Sequence, residues 1–394
     1  MNLSQEVCRT DGSVGMSPQT MGIRWPRLHA ALSCGRAVLL ACGVILFSAG
    51  LQAQVPSSPL PVRLTDQRGV EVKLPHAAQR IVTIPVPMAS IVMALDGASR
   101  RVVGMHPASR QSIEKGFLRK VFPEALKIPA DITRGGMFTP NLEAVLALKP
   151  DVVVTWSEPA EAVESLERAG LRVVALTNDP PNLARHFSNL EILGKLIGRE
   201  DRVAAVRADL ERKRDAVSQA MSGIAVKPRV IYLRQGEPSL QASGLNTFQD
   251  FWINLAGGRN VAGLLSGHQQ QTTLEQLIAW DPEIIFLGTF DAATPADIYA
   301  NPALSNVSAV RSKRVLKVPH GGYRWDPGSH ESGLMMLWAA ATMHPERFKP
   351  EMRREMRATY AALYRHRLSE AEIDDILEVR ANAATPGYAA QFAQ

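Results

Sequence analysis

Short apolar runs alternate with longer amphipathic stretches along most of the chain after residue 80. The short runs are rich in Val and Ile, which favours buried strands, whereas the longer stretches repeat apolar residues at helical spacing. The predicted strands are Arg80–Pro85, Arg101–Met105, Val152–Thr155, Arg172–Leu176, Arg229–Leu233 and Ile284–Gly288, and the predicted helices are Met88–Leu95, Asn141–Leu148, Glu161–Ala169 and Thr247–Leu255. This alternation predicts an α/β fold with parallel sheets and right-handed connections.

One segment interrupts the alternation and divides it into two halves. Glu200–Met221 contains neither glycine nor proline, and it places Val203, Val206, Leu210 and Val217 at helical spacing among charged residues. It predicts a single helix of about 33 Å. The predicted organisation is an N-terminal lobe over 54–198, a connecting helix over 199–223, a C-terminal lobe over 224–345, and helices over 346–394 that pack on the second lobe.

The N-terminal segment has the order of features expected of an export signal. Arginines, the last at Arg36, precede an apolar run over Ala37–Leu51, which a Pro/Ser-rich segment follows. The run would span roughly 22 Å as a helix, which is short of the hydrocarbon thickness of a bilayer. We therefore predict a signal peptide over 1–53, cut near Ala53, and export to the periplasm. A retained anchor is the alternative, because the segment before Met21 is long for a signal peptide.

The chain has three cysteines, and all of them lie in this leader, at Cys8, Cys34 and Cys42. The mature protein is therefore expected to contain neither disulfides nor reactive thiols. Leu39–Cys42 resembles a lipoprotein cleavage box, but the apolar run continues to Leu51, where a mature lipoprotein would turn polar. Lipid anchoring at Cys42 is thus the less favoured alternative.

Charge and motifs exclude several classes of function. The net charge is +6, but Lys and Arg are spread along the chain, which argues against a nucleic-acid-binding surface. The chain has no Gly-x-Ser-x-Gly elbow, P-loop or dinucleotide fingerprint, and Leu334 stands where a zinc-protease helix beginning at His330 would need its second histidine. We predict that the protein is not an enzyme. An exported hydrolase, and a signalling protein that docks without a ligand, are the alternatives.

The two halves also contain an internal repeat. Residues 141–154 match residues 273–286 without a gap, at an offset of 132, and each copy is a helix, a proline and an apolar strand. Both copies place a glutamate near the helix start, at Glu143 and Glu275. The alternative is coincidence, because a helix dipole favours a glutamate in the first turn of any helix.

Taken together, these segments resemble the periplasmic substrate-binding proteins of ABC importers for iron-siderophore, haem and corrinoid complexes, and the related molybdate- and tungstate-binding branch. The resemblance covers roughly Arg63 to Phe348. Its carriers are Leu64–Gly69, Arg80–Pro85, Leu95–Ala98 with Val102–Gly104, the two repeated junctions, and Leu255–Ala262. It implies two Rossmann-like lobes joined by a single long α-helix, with the ligand cleft between the lobes. It also implies a monomer that delivers its ligand to a permease dimer driven by an ATPase, with Glu143 and Glu275 paired to permease arginines.

Ligands of two-lobed α/β proteins bind at the carboxyl ends of the strands, facing the cleft. The most unusual loop there is Tyr323-Arg324-Trp325, whose aromatic rings and arginine suit a flat or anionic ligand. An alternative interpretation pairs Arg324 with Asp326 and places Trp325 in the core. The other predicted ligand-binding residues are Arg234, Arg134, Trp156, Met88 and Phe248.

The ligand itself stays open at this point between a ferric siderophore, which we favour, haem or a corrinoid, and an oxyanion such as molybdate. No resident cofactor is expected. The histidines in these loops, at His106, His268, His320 and His330, do not have the spacing of a zinc or manganese site.

Overall fold

The computed structural model describes residues 61–135, 138–236, 239–268, 270–289 and 293–393. The predicted signal peptide and the three cysteines lie outside the described residues. Within them, no helix combines the length and the apolar character that crossing a bilayer requires.

A four-stranded parallel sheet forms the centre of the N-terminal lobe. An antiparallel hairpin, β1 (Val62–Thr65) and β2 (Glu71–Leu74), precedes strands β3 (Ile81–Thr83), β4 (Val102–Met105), β5 (Val152–Trp156) and β6 (Val173–Leu176), and the sheet order is β4-β3-β5-β6. The helices of this lobe are α1 (Met88–Asp96), α2 (Pro107–Lys115), α3 (Leu118–Val121), α4 (Leu142–Ala147), α5 (Ala160–Arg168) and α6 (Leu183–Ile197), with a 3-10 turn at Pro123–Lys127. The strands are buried on both faces, as a parallel sheet requires.

The connecting helix α7 (Glu200–Ala220) lies between the lobes in sequence, within a residue or two of its predicted bounds. Gly198, in the left-handed conformation, ends α6 and starts the turn into α7. The predicted apolar positions are buried, but so is Lys213, which lies 1% exposed and donates a 2.6 Å hydrogen bond to Thr359 Oγ1. This lysine therefore ties the connecting helix to the C-terminal part of the chain.

The C-terminal lobe contains a mixed sheet rather than the purely parallel one predicted. Its strands are β7 (Arg229–Gly236), β8 (Ser239–Ala242), β9 (Arg259–Asn260), β10 (Gln270–Thr272), β11 (Ile284–Leu287) and β12 (Val315–Lys317), in the order β10-β8-β7-β11-β12 with β9 beside β7. Strands β7, β11 and β12 are parallel, whereas β8 and β10 run antiparallel to their neighbours. Its helices are α8 (Phe248–Leu255), α9 (Leu274–Trp280), α10 (Pro295–Ala300) and α11 (Ser308–Arg311), with a 3-10 turn at Pro302–Leu304.

The last helices are α12 (Ser332–Met343), α13 (Met352–Tyr364), α14 (Glu370–Ile376) and α15 (Tyr388–Gln391). Helix α12 is buried all round and packs on α7 and α8. The C-terminal helices, which were expected to pack on the second lobe, also contact the first lobe and the connecting helix. The ring of Tyr360 in α13 contacts Phe117 of the first lobe at 5.1 Å between centroids, and Arg202 of α7 donates to the carbonyl oxygens of both Ala94 and Leu363.

Candidate functional site

Three aromatic rings follow the carboxyl edge of the N-terminal sheet, and we call them the aromatic row. His106 comes directly after β4, Trp156 ends β5, and Phe138 lies between them, with centroid distances of 5.6 Å to His106 and 6.5 Å to Trp156. The loop before α4 presents Phe138, and the Thr133–Pro140 bridge closes that loop. Phe138 and Trp156 are partly exposed, so the row offers an apolar, polarisable wall to a ligand.

Two arginines and a histidine lie at the matching edge of the C-terminal lobe, and we call Arg234, His268 and Arg324 the basic cluster. Partial removal from water lowers the pKa of His268; the positive charges of Arg234 and Arg324 act in the same direction, while Asp326 opposes them. Tyr232 of β7 also donates a 2.6 Å hydrogen bond to Asp326, which places the Arg324 loop beside the strand that carries Arg234. Arg234 extends from the end of β7, and His268 is exposed. The sequence linked the two arginines, whereas His268 had no local feature that pointed to this cluster.

Arg324 is held in place by its neighbours. Its Nη1 lies 3.7 Å from Asp326 Oδ2, and its guanidinium lies over the Tyr323 ring at 5.6 Å. Removal from water lowers the pKa of Arg324, but Asp326, Tyr323 and Tyr232 together outweigh this effect and raise the pKa, so the side chain stays cationic. Asp326 in turn accepts a 2.6 Å hydrogen bond from Tyr232 Oη. The predicted alternative, an Arg324–Asp326 pair, is therefore present, and it orients Arg324 while leaving its side chain 14% exposed.

Trp325 lies in the core, as the alternative interpretation placed it. Its indole is fully buried and donates a 2.6 Å hydrogen bond to Glu331 Oε2. Glu331 also accepts from Tyr360 Oη at 3.0 Å, from the Gly322 amide at 3.0 Å and from Tyr364 Oη. The neighbouring Tyr323, which was also predicted to bind the ligand, is 1% exposed and therefore lies in the core as well. A direct ligand contact by Trp325 is thus not supported, because its one polar group already has a buried partner.

Burial sets the charge of the ionisable groups around this loop. It lowers the pKa of His186 and His320 to about 4 and that of His330 to about 3, so these histidines are neutral near pH 7. Burial raises the pKa of Glu331, against the effect of its hydrogen-bond donors. The histidines therefore act as neutral packing and hydrogen-bonding groups. Among the described residues, no group of three or more His, Cys, Asp or Glu side chains is arranged to hold a metal ion.

The glycines before Tyr323 serve close packing rather than loose backbone. A Cβ on Gly321 would overlap Tyr360 Oη and Glu331 Oε2, and one on Gly322 would overlap Tyr364 Oη. From the first lobe, the backbone amide of Phe117 donates a 2.8 Å hydrogen bond to the carbonyl oxygen of Gly321. The loop thus fits between the first lobe and α13 only because these positions lack side chains.

Gly321→Ala is expected to lower the free energy of unfolding by at least ~1–3 kcal/mol, because the methyl group must displace two buried hydrogen-bonding oxygens. Gly328→Ala in the same loop is the matched control, since its Cβ would meet its nearest neighbours at 3.5 Å, an ordinary contact. Urea unfolding followed by tryptophan fluorescence measures both. Equal stability of the two variants would contradict the packing role of Gly321.

The remaining predicted ligand-binding residues divide between surface and core. Arg134 is 62% exposed and pairs at 3.3 Å with Glu143, so its charge is directed to that glutamate rather than to the basic cluster. Phe248 is 3% exposed, and its ring lies 6.4 Å from that of His186 in the first lobe. Met88 is 2% exposed at the start of α1. The structure therefore brings together Arg234 and Arg324, and separately Trp156 with the rest of the aromatic row. Ligand contacts by these residues stay predictions.

The internal repeat is built identically in the two lobes. Glu143 and Glu275 are each the second residue of their helices, α4 and α9, and both are exposed. A residue with positive φ follows each helix directly before the shared proline, Lys149 at 46° and Asp281 at 41°.

One arginine clamps each junction to the neighbouring strand. Arg80 Nε donates to Lys149 O at 3.0 Å, and Arg229 Nε donates to Asp281 O at 2.7 Å. At each junction, the carboxylate of the residue after the proline also accepts a hydrogen bond from the backbone amide of that arginine. The distances are 3.0 Å to Asp151 and 2.8 Å to Glu283. These duplicated bonds fix each glutamate-bearing helix rigidly to its sheet.

Comparisons with known proteins agree with this architecture. The family model described as periplasmic binding protein matches residues 81–320. The chain is 23% identical over 338 residues to the molybdate-binding protein MolA of Haemophilus influenzae, covering 80% of this chain and 92% of that protein. It is 25% identical over 326 residues to the ferric enterobactin-binding periplasmic protein FepB of Escherichia coli O6:H1, covering 74% of this chain and 93% of that one.

Among solved structures, a periplasmic solute binding protein of Veillonella parvula superposes with a TM-score of 0.75 at 30% identity, over 82% of this chain and 98% of that one. These relatives are solute-binding proteins rather than enzymes, which removes the alternative of an exported hydrolase. The matched region contains both lobes, both repeated glutamates and the connecting helix. The chain therefore belongs to the periplasmic binding protein family, as the substrate-binding component of an ABC importer.

Proposed function

We propose that this protein captures an anionic metal complex in the cleft between its lobes, a ferric siderophore in the first place, and delivers it to the permease of its importer. The observation that carries the proposal is the basic cluster at the carboxyl edge of one lobe, combined with the aromatic row at the corresponding edge of the other. Charged hydrogen bonds from arginines suit the carboxylate or catecholate groups of a chelate, and aromatic faces suit its flat apolar parts. The protein needs no cofactor of its own.

A transported ligand must be bound and released unchanged, and the site fits that role. The loop with Arg324 belongs to the second lobe and is also bonded to the first. Ser112 Oγ lies 3.2 Å from His320 Nε2, and the Phe117 amide donates to Gly321 O. The stiff connecting helix joins the lobes as well. We infer that closure on the ligand is a small hinge movement and that Arg324 is pre-oriented before the ligand arrives.

A bare oxyanion is the second candidate, because the basic cluster contains two arginines and the chain is 23% identical over 338 residues to a molybdate-binding protein. A tetrahedral oxyanion would use the arginines and His268 but would leave the aromatic row without a role. Haem and corrinoids would use the row more fully. The ligand panel below separates these classes.

Export supports the same function. We propose that residues 1–53 are removed near Ala53 by a Sec-type pathway and that the mature protein acts as a periplasmic monomer. Lipid anchoring at Cys42 is the alternative.

The decisive experiment is a fluorescence titration of the exported protein with ferric siderophores, haem, cobalamin, molybdate and zinc. Among the described tryptophans, Trp252, Trp325 and Trp338 are fully buried, whereas Trp156 in the aromatic row and Trp280 at the end of α9 are partly exposed. We expect one-to-one quenching by a ferric siderophore, confirmed by calorimetry, and a weaker signal change in Trp156→Phe. Calorimetric binding of molybdate alone would favour the oxyanion candidate, and binding of nothing in the panel would contradict the proposed capture function.

Arg324→Ala is expected to weaken binding of the ligand found in that panel by about 1–3 kcal/mol, because a charged hydrogen bond in a largely buried site is lost. This corresponds to roughly 5- to 150-fold in Kd. Arg172→Ala is the control, since Arg172 is exposed and precedes β6 at the opposite edge of its sheet. Calorimetry measures both. An unchanged Kd for Arg324→Ala would place the ligand elsewhere.

A further inference from the structure

Exposed large apolar side chains are few in the described part of the chain, and they are unevenly placed. They are Val70, Leu146, Val226, Leu245, Leu264, Leu274 and Ile278. Three of these lie on α4 and α9, the two short helices that bear Glu143 and Glu275. These helices therefore present apolar surface as well as charge.

The apolar positions obey the same offset of 132 as the glutamates. Leu146 is 44% exposed and Ile278 is 41% exposed, and each follows its glutamate by three residues. Residues three apart lie on one face of a helix. The residues just before them, Val145 and Leu277, are both fully buried, so the two helices rest on their sheets in the same orientation.

We propose that Leu146 and Ile278 form the apolar part of the docking surface and bind apolar side chains of the permease beside the cations that pair with Glu143 and Glu275. The inference rests on the proposed delivery to a permease and extends it from two charges to two composite patches. A partner with two equivalent halves is the occupant that fits, because the same glutamate and aliphatic residue recur once on each lobe. The arginine clamps at Arg80 and Arg229 hold both patches rigidly.

Leu146 and Ile278 are expected to contribute docking affinity in a different way from the glutamates. Surface ion pairs are screened by salt and add little affinity, whereas aliphatic side chains that become buried at an interface gain affinity that salt does not weaken. On the first lobe, Glu143 already pairs with Arg134 at 3.3 Å, so a permease cation must compete with that arginine.

The test uses a double variant that carries Leu146→Ser and Ile278→Ser. A second double variant, with Val226→Ser and Leu264→Ser, is the control. The control residues are 81% and 94% exposed and lie outside both repeated helices. The full chain is expressed with its own leader, recovered after export, and titrated against the permease–ATPase complex of the same organism in nanodiscs by biolayer interferometry. We expect the Leu146/Ile278 variant to dock at least ~10-fold more weakly at every salt concentration, with an unchanged melting temperature, and the control variant to dock like the wild type.

Unchanged docking of the Leu146/Ile278 variant would overturn the inference. Sedimentation of the free protein gives a second check, because a wild-type dimer that these substitutions dissociate would assign the patches to self-association instead. Glu143→Lys with Glu275→Lys is measured in parallel. If that variant also docks like the wild type, the docking role of both repeated helices fails, and if the wild type does not dock, the proposed delivery function fails together with this inference. An effect absent from the apolar variant alone overturns this inference and leaves delivery intact.

Discussion

Reversing both repeated glutamates, Glu143→Lys together with Glu275→Lys, is expected to abolish uptake while leaving ligand affinity unchanged. Each glutamate is exposed on a short helix that an arginine clamps to its sheet, so the charge changes while the local structure stays. Like charges facing each other across an interface cost several kcal/mol, so the initial uptake rate is expected to fall by at least ~10-fold. Uptake of the radiolabelled ligand by cells, with calorimetry on the purified protein, measures the two effects.

Glu161→Lys with Glu200→Lys is the matched control for this double variant. Both residues are exposed glutamates in the first turn of a helix, α5 and α7, but neither belongs to the repeat. They therefore share the helix-dipole environment and the change in net charge. Normal uptake by the Glu143/Glu275 variant would contradict the docking role, and equal loss in both variants would show an effect of net charge alone.

Glu331→Ala is expected to destabilise the protein by ~3–5 kcal/mol, because it leaves several buried donors without an acceptor. Trp325 Nε1, Tyr360 Oη, Tyr364 Oη and the Gly322 amide all donate to this one carboxylate. These groups come from the Arg324 loop and from α13, so their loss also frees the loop. Urea unfolding monitored by tryptophan fluorescence gives the free energy, and calorimetry is expected to show weaker ligand binding.

Two further variants make this result specific. Glu351→Ala removes an exposed glutamate and should change stability by less than about 0.5 kcal/mol, as is usual on a surface. Glu331→Gln keeps one carbonyl acceptor and should fall between the wild type and Glu331→Ala. A loss below ~1 kcal/mol in Glu331→Ala would mean that water or a shifted side chain satisfies the donors, and that the carboxylate is not the centre of the loop's attachment.

The sequence was sufficient for features that depend on neighbouring residues. Hydrophobic periodicity predicted strands β3–β7 and β11 and helices α1, α4, α5, α7 and α8 to within a few residues, because a local repeat of 2 or 3.6 residues decides which face is buried. The internal repeat was visible for the same reason, and in the structure its copies share an exposed glutamate, a positive-φ residue before the proline and an arginine clamp. The family resemblance followed from the order of these local elements.

The tertiary structure alone decided which polar groups meet. Ser112 reaches His320 across 208 residues, and Tyr364 reaches Glu331 across 33, so no local pattern could show that the Arg324 loop is held by both lobes and by α13. The antiparallel strand β8 was missed because a short strand takes its direction from its partner, not from its own residues. Trp325 and Arg324 are adjacent in sequence, yet only packing determined that one lies in the core and the other at the edge of the cleft.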